Sequence, residues 1–338
     1  MINFEYVRAT DIADAVRQSA ARAGAKFIAG GTNLIDLMKE DVERPKRLID
    51  ISRLPLKQVE ETAEGGVKIG ALVPNADLAY HPLIERRYPV LASAILAGAS
   101  AQLRNMASTG GNLLQRTRCY YFYDVATPCN KREPGSGCPA IEGLNRMHAI
   151  LGTSEHCIAT HPSDMCVALA MLEARVHVAG PDGERIIAFA DFHRLPGDTP
   201  QTDTNLQPHE IVTAVEIPPQ GYAQHYTYLK IRDRLSYAFA LVSVAAGLEI
   251  EDGTIKEARF ALGGVAHKPW RNRAAEDSLR GQAASTGSFQ QAADILLREA
   301  KGYSHNRFKI DLARRTIVRA LTQAARGTPQ IQSDKKVR

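Results

Sequence analysis

The 338-residue sequence predicts an α+β protein of two or three domains, and three observations carry that expectation. An apolar run, Lys26-Phe27-Ile28-Ala29, meets Gly30-Gly31 and passes into a helical pattern from Ile35 to Met38, which reads as a strand, a glycine turn and a helix start. A second glycine pair, Gly110-Gly111, opens a stretch that holds Cys119, Cys129, Cys138 and Cys157, four of the five cysteines. Between Tyr226 and Leu262, apolar runs broken by Glu251-Asp252-Gly253 read as a three-strand antiparallel meander, with helical patterns after it.

Taken in order, a first helix starts after Thr10 as N-cap, with Asp11 and Asp14 placed where the helix dipole favours acid, and Gly24 ends it. Leu48-Ile49-Asp50-Ile51 and Val67 to Ala71 read as strands, the second preceded by the turn Glu64-Gly65-Gly66. From Tyr88 to Met106, alanine and leucine suit one helix, and Ser108-Thr109-Gly110-Gly111-Asn112-Leu113 follows as a loop. Another helix starts at Ser163. It carries Cys166 among Met165, Leu169 and Leu172, the setting of an ordinary buried thiol. Val212 to Ile217 is a strand, Pro218-Pro219-Gln220-Gly221 a linker, Gln290 to Lys301 and Ile310 to Ala325 helices, and Thr328 to Arg338 a polar tail.

Composition narrows the function. With 44% hydrophobic residues the chain can bury a core without staples, and five cysteines at this length do not resemble a secreted disulfide framework. Thiols or thiolate ligands are expected instead. The first residues show no basic segment followed by an apolar run, and no stretch approaches the ~18 apolar residues of a membrane span, so the expectation is a soluble protein without its own export signal. A net charge of +5 spread along the chain lacks the concentrated basic face of a nucleic-acid binder.

The glycine turns and the cysteines carry the chemistry. A Gly-Gly turn ahead of a helix lets backbone N–H groups point at an anion such as a pyrophosphate, although such turns more often only reverse the chain. Neither the three-glycine dinucleotide fingerprint nor a phosphate loop ending in Gly-Lys-Ser/Thr occurs, so a Rossmann site is unsupported. The cysteines are separated by nine, eight and eighteen residues, which matches neither ferredoxin runs nor the tight hooks of zinc sites. His148, His156 and His161 lie near them. All three are zinc ligands in principle and ordinary loop histidines by default. Tyr120 to Tyr123 reads as packing, with a tyrosine, Tyr121 first, as a cover for a flavin ring in the alternative.

Ala29-Gly30-Gly31-Thr32-Asn33-Leu34, Arg104-Asn105 with Thr109-Gly110-Gly111-Asn112-Leu113, and Pro162-Ser163-Asp164 resemble the FAD-binding subunits of the xanthine dehydrogenase family of molybdenum hydroxylases. Glu210-Ile211-Val212, Lys230-Ile231-Arg232 and Gly263-Gly264-Val265 extend the likeness over most of the chain. The segment around Gln115 to Cys119 and Cys129 to Arg132 looks like the cysteine-bearing insertion of the aldehyde oxidoreductase flavin subunits, and a related one occurs in the 4-hydroxybenzoyl-CoA reductase flavin subunit. The resemblance implies a two-part FAD-binding domain of the vanillyl-alcohol-oxidase type over residues 1–219, with parts 1–55 and 56–219 and an insertion over 114–160. A C-terminal sheet-and-helix domain over 220–327 and a tail over 328–338 complete it.

The same resemblance implies site residues. The backbone of Lys26, Phe27, Ile28, Ala29, Gly30, Gly31, Thr32, Asn33 and Leu34 would cradle the FAD pyrophosphate, with Ser108, Thr109, Gly110 and Asn112 completing the pocket. Asp164 would bind the adenosine or ribityl part, and Ile211, Val212 and Lys230 would lie near the adenine or flavin ring. Cys119, Cys129, Cys138 and Cys157 would hold a 4Fe-4S cluster, one thiolate for each iron. The implied activity is electron transfer from iron-sulfur clusters to FAD and an external acceptor, within an aldehyde-oxidising complex that contains a molybdenum-cofactor large subunit and a 2Fe-2S small subunit. Assembly in the cytoplasm is expected, and folded co-export to the periplasm with a signal-bearing partner is compatible with it. The alternatives are a self-sufficient flavin oxidase of a small alcohol and a non-catalytic module pinned by zinc.

Overall fold

The computed structural model describes residues 1–219 and 221–327, so Gln220 of the expected linker and the expected tail, 328–338, lie outside the described residues. The first layer is a parallel three-stranded sheet of order β1-β3-β2, formed by β1 (Glu5–Arg8), β2 (Ala25–Ile28) and β3 (Arg47–Asp50), with α1 (Ile12–Ala20) and α2 (Leu34–Lys39) as crossovers. The N-cap of α1 is Asp11, whose Oδ1 accepts the Asp14 N–H at 2.7 Å. Thr10, the expected cap, stands one residue too early. The strand β1 carried no distinctive pattern and was not anticipated.

Next come β4 (Val59–Glu61), β5 (Val67–Gly70), α3 (Asn75–Ala79), α4 (Pro82–Arg87), α5 (Pro89–Ala97), α6 (Ala101–Met106), α7 (Thr109–Leu113), α8 (Tyr120–Tyr123) and α9 (Asp164–Met171). They are followed by β6 (Arg175–Gly180), β7 (Gly183–Ala188), α10 (Phe189–Phe192) and β8 (Ile211–Ile217). The strands form an antiparallel five-stranded sheet of order β4-β5-β8-β6-β7.

The single helix expected from Tyr88 to Met106 is two helices. Ala99 has φ +50°, and the carbonyls that would continue α5 are taken by side chains: Lys230 and Arg232 donate to Ala97 O, and Arg104 to Gly98 O. The expected glycine loop at 108–113 is also corrected, since Ser108 caps α7 by accepting the Gly111 N–H and the glycine pair lies inside the first helical turn.

The third sheet is the expected meander, order β11-β10-β9, from β9 (Tyr226–Ile231), β10 (Val242–Glu251) and β11 (Thr254–Gly263). Asp252 and Gly253, at φ +49° and +75°, make its tight turn. Then come α11 (Arg273–Asp277), α12 (Thr286–Leu296) and α13 (Phe308–Ala325). Every residue of α9 is buried, because this helix lies in one core shared by the five-stranded sheet, α5 and the inner face of the meander, Tyr226, Tyr228, Ala245 and Ala261 among its members. The opposite face of the meander packs on α12 and α13. Among the described residues, no helix is long and apolar enough to cross a membrane.

Candidate functional site

The two glycine segments meet. A Cβ on Gly30 would stand 1.8 Å from the Met106 carbonyl oxygen, and Gly31 has φ +72°, so close approach demands glycine at the first position and backbone conformation at the second. This contact sets the strand-to-helix turn 30–33 against the chain entering α7. The N–H groups of Gly30, Gly31, Thr32 and Asn33 donate to no backbone carbonyl among the described residues. Asn112 locks the neighbourhood: its Nδ2 donates to Asn75 Oδ1 at 2.7 Å, and its Oδ1 accepts from the hydroxyl of Ser163, the N-cap of α9, at 2.6 Å.

These segments line a cavity of about 820 Å³, near the upper end of the usual range for cofactor pockets. Gly30, Gly31, Thr32, Asn33, Asn112, Asp164 and Lys230 form part of its wall, so seven of the residues implied by the family resemblance converge on one space. On the far side Asp164 and Lys230 form a buried ion pair at 2.8 Å, and Tyr228 donates its hydroxyl to the other carboxylate oxygen at 2.6 Å. Burial first, and the Asp164 charge after it, push the Tyr228 hydroxyl well above its ordinary range, so it stays a donor.

The remaining implied residues are placed otherwise. Lys26, Phe27, Ile28, Ala29 and Leu34 flank the turn without lining the cavity, and Lys26 pairs with Glu43 at 3.4 Å. Ser108, Thr109 and Gly110 shape the start of α7 from behind: Thr109 Oγ1 donates to Val73 O, and Gly110 packs on Ala71. Ile211 and Val212 do not reach the cavity. They pair with Ala179 and Val178 in the five-stranded sheet and, as successive strand residues, point to opposite faces, Ile211 into the core under the first sheet and Val212 into the core around α9. Sequence reasoning missed Arg118 and Phe239, which line the cavity with the Arg118 guanidinium 5.3 Å from the Phe239 ring centre. A bend after β9 that carried no recognisable pattern places Phe239 there.

A side chamber of about 210 Å³ shares Arg118, Tyr120, Met147 and Phe239 with the main cavity and reaches Cys119 and His148. Arg118 Nε, His148 Nδ1 and His161 Nε2 are buried there without hydrogen-bond partners among the described residues, as in a wall shaped for a polar ligand or ordered water. Of the run Tyr120 to Tyr123, the ring that lines both spaces is Tyr120. Tyr121, the flavin cover of the alternative reading, lines neither space, its hydroxyl accepting the Leu144 N–H at 2.8 Å, and Tyr123 donates to Asp36.

Beyond the chamber, Cys119, Cys129, Cys138 and Cys157 line a single narrow cavity. The segment folds there through its own polar groups. Asn130 Oδ1 accepts the N–H groups of Gly135 and Gly137, its Nδ2 donates to His156 O, and Arg132 donates to the carbonyls of Tyr121, Phe122 and Thr127. Backbone N–H groups of Tyr121 and Phe122 face Cys119, those of Ala140, Ile141 and Ile158 face Cys138, and that of Ala159 faces Cys157. Burial pushes the Cys119 thiol up to about 12 and the Cys157 thiol up to about 11, so these groups are protonated until a metal displaces the proton.

Among the described residues no three of the four sulfurs lie mutually within 4.8 Å. Tetrahedral zinc, with Zn–S about 2.3 Å, needs sulfurs about 3.8 Å apart. A cluster whose thiolates sit on separate irons tolerates the wider ring.

The histidines follow their surroundings. His148 places Nε2 3.1 Å from Cys119 Sγ, and His156 lies at the surface, 3.6 Å from Asp198. Donor atoms of His161, His193 and Cys166 do gather within 4.8 Å. However, the imidazole centres of His161 and His193 are 4.3 Å apart, closer than the roughly 5 Å of rings radiating from one ion with Zn–N about 2.0 Å. Their planes are tilted by 58°, a packing contact between two rings, and Cys166 is the buried thiol expected from its helix.

Residues 2–220 match the family described as the FAD binding domain in molybdopterin dehydrogenase, and residues 226–324 match the CO dehydrogenase flavoprotein C-terminal domain. Over 322 residues the chain is 53% identical to the aldehyde oxidoreductase FAD-binding subunit PaoB of Escherichia coli K12, covering 95% of this chain and 98% of that protein. It is 26% identical to the glyceraldehyde dehydrogenase medium chain of Sulfolobus acidocaldarius, covering 95% and 96% of the two chains. A chain of carbon monoxide dehydrogenase from Hydrogenophaga pseudoflava superposes with a TM-score of 0.76 at 26% identity, covering 97% of this chain and all of that one. With its glycine cradle and its sheet-and-helix C-terminal part, the chain belongs to the FAD-binding subunits of the xanthine dehydrogenase family of molybdenum hydroxylases.

Proposed function

We propose that this chain is the electron-transfer flavoprotein of an aldehyde-oxidising complex, working beside a molybdenum-cofactor large subunit and a 2Fe-2S small subunit. The observation that carries the reading is the cavity of about 820 Å³ between two glycine segments, in a chain 53% identical to an aldehyde oxidoreductase FAD-binding subunit. FAD fits the residues present. The N–H groups at 30–33, without backbone partners among the described residues, suit a pyrophosphate, the wall carries Lys39, Arg104, Arg118, Lys230 and Arg234 against Asp36, Asp164 and Asp233, and the orphaned polar atoms of the side chamber suit hydrogen-bonding ligand groups. Bound there, FAD would exchange electrons one at a time with a cluster and in pairs with an external acceptor. The chain's own residues hold the cofactor, and the Asp164, Tyr228 and Lys230 network fixes the wall opposite the glycine turns.

A 4Fe-4S cluster on Cys119, Cys129, Cys138 and Cys157 is the second part of the proposal. Four thiols lining one cavity, inward backbone N–H groups and sulfurs spread too widely for a single ion all favour it over a zinc pin. To test the whole, the chain is co-produced with its partner subunits without oxygen, and flavin, iron and acid-labile sulfide are quantified. One FAD with four irons and four sulfides assigned to this chain is expected, with aldehyde bleaching the flavin only in the complex. Zinc in place of iron, or bleaching by substrate of this chain alone, would overturn the reading.

A further inference from the structure

Lys309, in the first turn of α13, has no solvent exposure, and its ammonium donates to two backbone carbonyls, His148 O at 2.8 Å and Gly264 O at 2.6 Å. Among the described residues the other buried lysine, Lys131, has Asp203 at 2.5 Å, and Lys230 has Asp164. Lys309 has no carboxylate among the described residues, and the charged group that acts on it, Arg146, repels it. A buried cation without a counter-charge is expensive and gives up its proton unless an anion stands nearby.

Both carbonyl partners lead to one place. His148 lines the cysteine cavity with its imidazole Nε2 3.1 Å from Cys119 Sγ, and Gly264 lines the adjoining side chamber. Four thiolates bring more negative charge than an iron-sulfur core neutralises, and reduction adds one charge more, inside a low-dielectric wall. We propose that Lys309 is the resident counter-charge of the 4Fe-4S cluster, a positioning residue that raises the cluster's readiness to accept an electron; this rests on the cluster reading above.

A purely mechanical role does not require the charge. Asn306 Nδ2 already donates to His148 O and Ala149 O, so the 148–149 segment is tied to the start of α13 by a neutral side chain. Burial first, and Arg146 after it, pull the Lys309 ammonium down to about 7, so it depends on an anionic neighbour to stay charged.

The test uses the full chain in its complex, purified without oxygen, as wild type, Lys309→Gln, Lys309→Met and Lys309→Arg. Iron, sulfide and flavin are counted, and the cluster potential is read by redox titration followed by electron paramagnetic resonance. The neutral variants are expected to keep iron and sulfide while the equilibrium constant for cluster reduction falls about tenfold, a midpoint about 59 mV lower for one electron. Lys309→Arg should stay near wild type. Neutral variants that carry the cluster at an unshifted midpoint, even with a lowered melting temperature, make Lys309 a clamp and overturn the charge assignment alone. Wild type without iron and sulfide takes down the cluster reading and this assignment together.

Discussion

At Gly30 a single hydrogen decides whether the cofactor cradle can close. A methyl group there meets the Met106 carbonyl at 1.8 Å, and neither backbone can yield without opening the contact that joins the two glycine segments. Gly30→Ala is therefore expected to lower the flavin-to-protein ratio of purified protein about tenfold or more, since overpacking costs about 1–3 kcal/mol. A full complement of acid-released flavin in this variant would contradict the cradle. Asp164 tests the opposite wall. Asp164→Asn leaves the Lys230 ammonium buried beside a neutral group, at a cost of about 3–5 kcal/mol in stability, read from the shift of the denaturant midpoint. Adding Lys230→Met should recover much of that stability. If the double variant is no more stable than Asp164→Asn, the ion pair is not the source of the loss.

Elements that announce themselves locally were legible. The strand and helix around Gly30-Gly31, the helix capped by Ser163 and the meander with its Asp252-Gly253 turn all follow from nearby residues. Elements decided by distant partners were not. The break between α5 and α6 depends on Lys230 and Arg232, more than a hundred residues away, and although Gly180-Pro181-Asp182-Gly183 marks the β6–β7 hairpin locally, the pairing of β6 with β8 joins residues more than thirty positions apart. The segment from 114 to 160 holds little regular structure, and Lys131 ties it to the rest by contacting Asp203 and His267. That dependence sets its pH response. Burial is the main cause holding both His193 and His267 down to about 4, so each is neutral when folded, whereas the unfolded imidazole titrates near 6.5. The unfolded state binds the extra protons as pH falls below about 6.5, and stability drops by about 1.4 kcal/mol per pH unit for each ring down to about pH 4. The Asp203 carboxyl adds a later loss. Burial would raise it, but Lys131 and Arg116 hold it far below the carboxylate range, so its contribution is full above that range and disappears only as pH falls through it. Burial also holds His148 down to about 4 and His161 well below its ordinary range, so four rings share the loss, and the melting temperature should decline steadily from pH 7 to 5 with roughly three quarters of the slope in His193→Gln. A flat profile would show that these rings are hydrated.

For the molecule as a whole, the site belongs to neither half of the chain. The glycine turns and Asp164 come from the first 219 residues, and Lys230 and Phe239 come from the part beyond the linker. This is why the sequence showed the cradle as two local motifs but not the space between them: the partners across the cavity are joined only by tertiary packing. The core is shared as well, since α9 is covered on one side by Tyr226, Tyr228, Ala245 and Ala261 of the meander. Removing the meander uncovers that apolar face and one wall of the cavity together. A chain ending at residue 219 should therefore lose flavin and associate nonspecifically, because the exposed patch would be far larger than soluble monomers display. Divided at Gln220 and co-produced as two pieces, the halves should reassemble through the same apolar face and co-purify with flavin. Flavin bound stoichiometrically by residues 1–219 alone, read from the absorption spectrum after size exclusion, would show that the cradle suffices and that Lys230 lies beside the cofactor without holding it.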